Sequence, residues 1–328
     1  MQDFLRAPAA YQLSDVTKTV PQYASITPRW LLRMLEWKGL ENGVFRLNRV
    51  REGRVPLDML ATSFEHHLQD PLHQQEESYG IPEGFVDYES QPKEFTLSSI
   101  SSIVKISTRV SDLYSHPYDQ SQEQIRLSIE SLREYQESQM INSKEYGLLA
   151  NAIPSQRIGT RSGPPTPDDL DELLVKVWKE PSFFVAHPRA IAAFGRECTR
   201  RGVPPVIQEH DGAQFLSWRG IPLLPSDKVP IVGEGDRESN SGTSASGSGR
   251  TSILLVRTGE ARQGAIGLYQ KDLPGEYSEG VSVRFMGIDN QGVGNYLLFL
   301  YCSCAMLTDD AVAVLEDVEV GHYHQYHD

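Results

Sequence analysis

The sequence predicts an α+β chain rather than a doubly wound one, and three observations carry that expectation. A long polar helix occupies the middle. A mixed stretch from Thr166 to Pro230 combines two Pro-opened helices with a Gly- and Pro-punctuated strand. The remainder, after residue 250, is almost wholly strand-like runs. The 328 residues are 39% hydrophobic, enough for one large or two ordinary cores.

Residues 1–42 read as an extended arm. Pro8, Pro21 and Pro28 interrupt any long helix, while Trp30, Leu31, Leu32, Met34, Leu35 and Trp37 are too apolar to remain in water. They require a partner surface, either on their own domain or on another subunit. Gly43 to Val50 alternates as a strand does, and the chain returns near Gln91 to Leu97, so 43–97 reads as a long hairpin. His66, His67 and His73 lie between its arms. Adjacent histidines point in different directions on a helix or a strand, which favours a solvated loop tip over a metal site.

From about Asp119 to Asn142 the spacing predicts a helix, with a D-x-x-Q start at Asp119 and Gln122 and an apolar line through Ile125, Ile129 and Leu132. Thr166 caps the next helix, Pro167 fits its first position, Asp168 and Asp169 suit its positive end, and Leu170, Leu173, Leu174, Val177 and Trp178 form its stripe. Pro188 opens another, with Ile191, Phe194, Gly195 and Cys198 on its buried face. Arg196, Arg200 and Arg201 load its end before Gly202 stops it.

The tract 233–250 is Gly/Ser/Asp-rich and reads as a flexible loop between two strands of one domain, since VPIV and ILLVRT flank it closely. Five strand-like runs follow: ILLVRT, GAIGLYQ, VSVRFMGID, YLLFLYCSCAML and AVAVLEDVEV. The fourth is apolar on both faces.

Reaction chemistry is missing: there is no G-x-S-x-G elbow, HExxH, CxxC pair or dinucleotide fingerprint at a strand end. Cys198, Cys302 and Cys304 are too few for a disulfide framework and read as reduced core thiols. His187, between an apolar run and a helix start, reads as a turn histidine. His322, His324 and His327 read as a terminal tail rather than a Zn²⁺ or Ni²⁺ site. Glu209, His210 and Asp211 form the one compact titratable trio, and consecutive positions seldom converge, so a solvated loop is the plain reading. We expect no catalytic, cofactor or metal site in this chain.

No run approaches the roughly 18 to 20 apolar residues that span a bilayer, and the opening residues have no apolar signal core, so a cytoplasmic location is expected. The formal charge of −13 argues against nucleic acid as the main partner.

The Thr166 to Pro230 succession resembles the A-domain of the tailed-phage major capsid (HK97-type) fold, and in detail the shell proteins of the second encapsulin family. The resemblance extends to Thr17–Leu35, Arg109–Asn142, Arg257–Gln270, SVRFMGID and LTDDAVAVLEDVEV. The segment between about 57 and 84 is too short for the cyclic-nucleotide-binding insertion of one branch, which places the chain with the simpler branch. The resemblance implies an N-terminal arm (1–42), an E-loop hairpin (43–97), and a P-domain with a spine helix (98–150). It further implies an A-domain (151–295) with a flexible loop (233–250), closing P-domain strands (296–320) and a tail (321–328).

The resemblance also implies a function. A non-catalytic subunit assembles in about 60 copies into an icosahedral shell that encloses a cysteine desulfurase, for sulfur metabolism or storage. Pyridoxal phosphate is then expected in that cargo only, and which residues contact the cargo is not legible. Trp30 and Trp37 are the expected intersubunit anchors of the arm. Glu209, His210 and Asp211 are the expected loop around a five-fold pore, an acidic and histidine-bearing ring. A phage-type capsid subunit packaging nucleic acid remains the alternative, although −13 over about 60 copies is roughly −780 before counterions.

Overall fold

The computed structural model describes residues 26–48, 91–107, 120–233 and 249–323. The chain divides into two compact units, Val44–Phe95 and the rest. In the smaller one, β2 (Val44–Leu47) pairs with β3 (Lys93–Thr96). Phe45 and Phe95 meet at 6.4 Å between ring centroids, and Arg46 pairs with Glu94 at 2.8 Å. The segment that holds His66, His67 and His73 lies outside the described residues.

The larger unit is built on two sheets. The first combines β1 (Trp37–Leu40), β4 (Ser98–Ile106), β11 (Ala265–Gln270), β12 (Glu276–Ser278), β13 (Val281–Ile288) and β14 (Gly294–Met306). Its order is β1-β11-β14-β13-β12, with β4 also pairing β14. The helix α2 (Gln120–Asn142) lies on it. Ile125, Ile129 and Leu132 pack on Ile100, Leu298, Leu300 and Cys302, as the narrow apolar line predicts. The last turn of α2 is different. Met140 and Ile141 are fully buried among residues of the second sheet, so this one helix serves both cores.

The second sheet has the order β5-β15-β10-β6-β9-β8-β7. Its strands are β5 (Arg157–Gly159), β6 (Phe183–Ala186), β7 (Val206–His210), β8 (Ala213–Trp218), β9 (Ile221–Pro225), β10 (Arg250–Val256) and β15 (Val312–Glu319). Successive residues of β6, β10 and β15 alternate between two cores: Phe183, Val185, Leu254, Val256, Val312 and Val314 join one, and Phe184, Ala186, Ile253, Leu255, Ala313 and Leu315 join the other. Burial on both faces is why these runs carry no polar alternation. The helices α4 (Pro167–Lys176) and α5 (Pro188–Arg200) supply Leu170, Leu173, Phe194 and Cys198 to the second of those cores. The short helices α1 (Trp30–Met34) and α3 (Leu148–Asn151) supply Leu31 and Leu148 to the first.

Local chemistry sets the ends. Thr166 Oγ1 accepts the Asp169 N–H at 3.2 Å while Asp169 Oδ2 accepts the Thr166 N–H at 2.9 Å, a reciprocal capping box. The helix stops at Lys176. Trp178 therefore leaves the stripe assigned to it and is 71% exposed. His187 caps α5, its Nδ1 accepting the Arg189 N–H at 3.1 Å, and Gly202 ends the turn beyond it with φ 72°. The β7–β8 and β8–β9 hairpins turn at Asp211–Gly212 and Arg219–Gly220, where all four φ angles are positive, as two-residue hairpin turns require.

The structure refines three of the expected divisions. Within the expected arm, α1 packs in the core of its own subunit and β1 is an edge strand paired in parallel with β11. The strands after 250 do not divide at 295/296. β11 to β13 join the sheet under α2, the spine helix of the expected P-domain, whereas β15 lies inside the sheet under α4 and α5. Hydrogen bonding across strands ignores chain order, so a linear division could not see this. Residues 321–323 are not a loose end either: Arg196 donates to the carbonyls of Val320 (3.0 Å) and His322 (3.3 Å) and stacks over Tyr323. His324 and His327 lie outside the described residues.

Candidate functional site

Among the described residues, no group of three His, Cys, Asp or Glu side chains is placed to hold a metal ion. All three thiols are free and buried. Burial pushes Cys198 and Cys304 up to about 12 and Cys302 up to about 11, so each stays protonated and inert near neutrality. No described helix is long and apolar enough to cross a membrane. What the surface offers is contact area.

Val203, Val206 and Ile207, at and before the edge strand β7, are 47%, 61% and 66% exposed. Ile103, Phe285, Met286 and Ile288 are each more than half exposed around one end of the first sheet. Val175 and Trp178 are exposed at the end of α4. Large apolar side chains grouped in this way on well-formed elements mark surfaces that another chain covers.

Glu209 and His210 end β7, and Asp211 opens the turn beyond it. Glu209 and Asp211 are exposed and His210 is half-buried. The trio lies on a hairpin tip rather than an open loop. His210 Nε2 sits 3.4 Å from Gln208 Oε1, on the opposite side of the strand from Glu209, so within one subunit the three do not converge.

Trp30 and Trp37, the expected intersubunit anchors, both make contacts within their own subunit. Trp30 is 9% exposed and meets Phe215 edge-on, with centroids 4.8 Å apart. Trp37 lies over Gly267, where an added Cβ would fall 2.5 Å from the ring, and its Nε1–H donates to the Leu32 carbonyl at 2.8 Å. Both indoles are committed to their own subunit, which leaves little of Trp30 for a neighbour.

Two polar constellations escaped the sequence reading. Arg257 is fully buried, with Nη2 2.6 Å from Asp310 Oδ1 and 2.8 Å from Thr308 Oγ1. Glu130, Glu134 and Glu137 recur along α2 and receive the incoming segment at Thr27, Arg29 and Leu31. Only the second left a signal, the i, i+4, i+7 spacing of three acids.

The two sheets, the long helix between their cores and the uncovered apolar groups define a class, the self-assembling shell subunit of the tailed-phage capsid fold. Solved capsids share that fold at low identity. The capsid of a native GTA particle aligns over 92% of this chain and 94% of its own (TM-score 0.56, 11% identity), and the Microbacterium phage Oxtober96 over 93% and 97% (TM-score 0.53, 11% identity). A nearer relative narrows the class. The holo-SrpI encapsulin complex of Synechococcus elongatus aligns over 99% of this chain and 100% of its own, with TM-score 0.77 and 51% identity.

The family described as "Type 2A encapsulin shell protein SrpI-like" matches residues 65–322. Curated type 2A encapsulin shell proteins from Synechococcus elongatus and Mycolicibacterium paratuberculosis are each 52% identical, across 98% and 97% of this chain and 96% and 95% of theirs. The chain belongs to the SrpI-like family of type 2A encapsulin shell proteins. It is a nanocompartment shell subunit, not an enzyme.

Proposed function

We propose that the shell formed by this chain encloses a cysteine desulfurase and serves sulfur metabolism or storage. Alignment over 99% of the chain with a relative described as a holo-SrpI encapsulin complex carries this reading. The cargo itself comes from the family resemblance. Pyridoxal phosphate then belongs to the cargo and the shell holds no cofactor. About 60 copies close the particle in the simplest icosahedral arrangement, in the cytoplasm. The charge of −13 per subunit disfavours nucleic acid as the content.

Mass spectrometry of what copurifies with the shell from its native host tests the reading. A pyridoxal-phosphate enzyme that releases sulfur from cysteine, protected from added protease until the shell is opened, is the expected outcome. Nucleic acid, or a cargo of other chemistry, overturns it.

Within the same reading, the β7–β8 tip lines a five-fold opening. Glu209, His210 and Asp211 then meet as copies of a ring rather than as a cluster in one subunit.

A further inference from the structure

The N-terminal segment is held by three glutamates of α2. Arg29 pairs with Glu130 at 2.6 Å and with Glu134 at 3.1 Å. Glu134 also accepts the Thr27 N–H and the Thr27 hydroxyl, both at 2.8 Å, and lies 3.0 Å from Lys228 Nζ. Glu137 is placed more deeply. It is 1% exposed and accepts the Leu31 N–H at 3.2 Å. That amide lies in the first turn of α1, where no carbonyl of the helix can reach it. Leu31, fully buried, and Trp30 beside it pack with Phe215, Met140 and Ile141 in the core.

We infer that Glu137 is a proton-operated latch: protonated it holds residues 27–35 on the core, and ionised it loosens them. The geometry is that of a carboxyl group sealed under the segment it binds. Three elements bring charges to it. Its own helix presents Glu134, the loop after β9 presents Asp227 and Lys228, and the incoming segment presents Arg29, which the outer two glutamates already hold.

Burial is the main cause that pushes the Glu137 carboxyl up to about 7; the Leu31 N–H and Lys228 oppose the rise, and Glu134 and Asp227 add to it. For Glu134, burial also disfavours charge, but the Thr27 and Lys228 hydrogen bonds more than offset it and hold the group below its ordinary value. Glu134 is therefore a fixed charge and Glu137 the one that switches. The sign follows from where the proton sits. The docked state retains a proton that the released state gives up near 4.5, so docking weakens as pH rises from 4.5 to about 7 and levels off above that window.

Hydrogen exchange read by mass spectrometry on assembled particles, corrected for intrinsic exchange chemistry, tests the latch at the amides of Leu31 to Leu35. In the wild type, protection falls roughly tenfold or more between about pH 5.5 and about pH 7.5, then flattens. Glu137→Gln keeps the hydrogen bond without the titration and makes the profile flat. Lys228→Met removes a cation that favours the ionised form and moves the fall to higher pH. The Lys228→Met profile carries the test by itself if Glu137→Gln does not assemble. Protection in the wild type that is independent of pH or rises with it, or a fall that survives Glu137→Gln, overturns the latch.

Discussion

Arg257 shows how one residue ties separate parts of the chain together. It lies just past β10, and its guanidinium reaches Asp310, Thr308 and the carbonyls of Gln263 (3.3 Å) and Lys179 (3.4 Å), so three loops are fastened by one buried charge. A buried cation is tolerable only when paired. Burial disfavours ionisation of Asp310, but hydrogen bonds from Arg257, Thr308 and Lys179 more than offset it and hold the carboxyl well below its ordinary range. Asp310→Ala leaves the guanidinium unpaired and is expected to destabilise the subunit by about 3 to 5 kcal/mol, read as a lower urea midpoint. The depressed value puts Asp310's contribution above its ordinary 3.8, so it is constant near neutrality and lost only as pH falls below that. A wild-type midpoint that falls steeply between about pH 7 and about pH 5 contradicts this assignment only if Asp310→Ala abolishes the fall. The exposed residues make a different claim. Glu209→Ala with Asp211→Ala removes about ten negative charges from a five-fold ring. Anion flux into a particle carrying a reporter is expected to rise without a change in assembly, and unchanged flux takes the hairpin tip out of the pore.

Elements whose patterns close locally were legible. The Thr166 cap, the Pro-opened start of α5 and the Ile125, Ile129, Leu132 line each depend on residues within a few positions of one another. The end of α4 was not, since Trp178 continues the helical spacing but stands beyond the last helical turn. The tract at 233–250 is closed at its base. Val232 and Arg250 exchange two backbone hydrogen bonds, at 2.7 and 2.9 Å. Deleting 234–248 then joins Gly233 to Gly249 as a two-residue hairpin turn, a conformation that glycine adopts freely. We expect the deletion to assemble as the wild type does, since loop closure adds little whatever the length. Negative-stain microscopy checks this, and loss of particles shows the tract to be an assembly or binding element.

At the scale of the molecule, the N-terminal residues separate folding from assembly. Removing 1–25 spares every contact of Thr27, Arg29, Trp30 and Leu31 with the core, whereas removing 1–37 opens it. The shorter deletion is expected to remain folded and to lose or weaken closure, and the longer one to be insoluble. Size-exclusion chromatography distinguishes the outcomes against the full chain, which should elute as a closed particle far above the 36.8 kDa of one subunit. A soluble, folded 1–37 deletion contradicts the placement of α1 in the core. Particles unchanged by the 1–25 deletion show that the arm has no part in closure.

The sequence by itself determined the α+β class, most elements and, through resemblance, the shell family. Those properties reside in periodicity, capping residues and motif order, which are local. Only the tertiary structure decided that Trp30 and Trp37 face inward, that β15 joins the sheet of β10 rather than that of β14, and that Arg257 meets Asp310. Each of those pairs positions far apart in the chain. Which strand edge or buried charge meets which is settled by the joint packing of both cores, and no window of sequence contains that information.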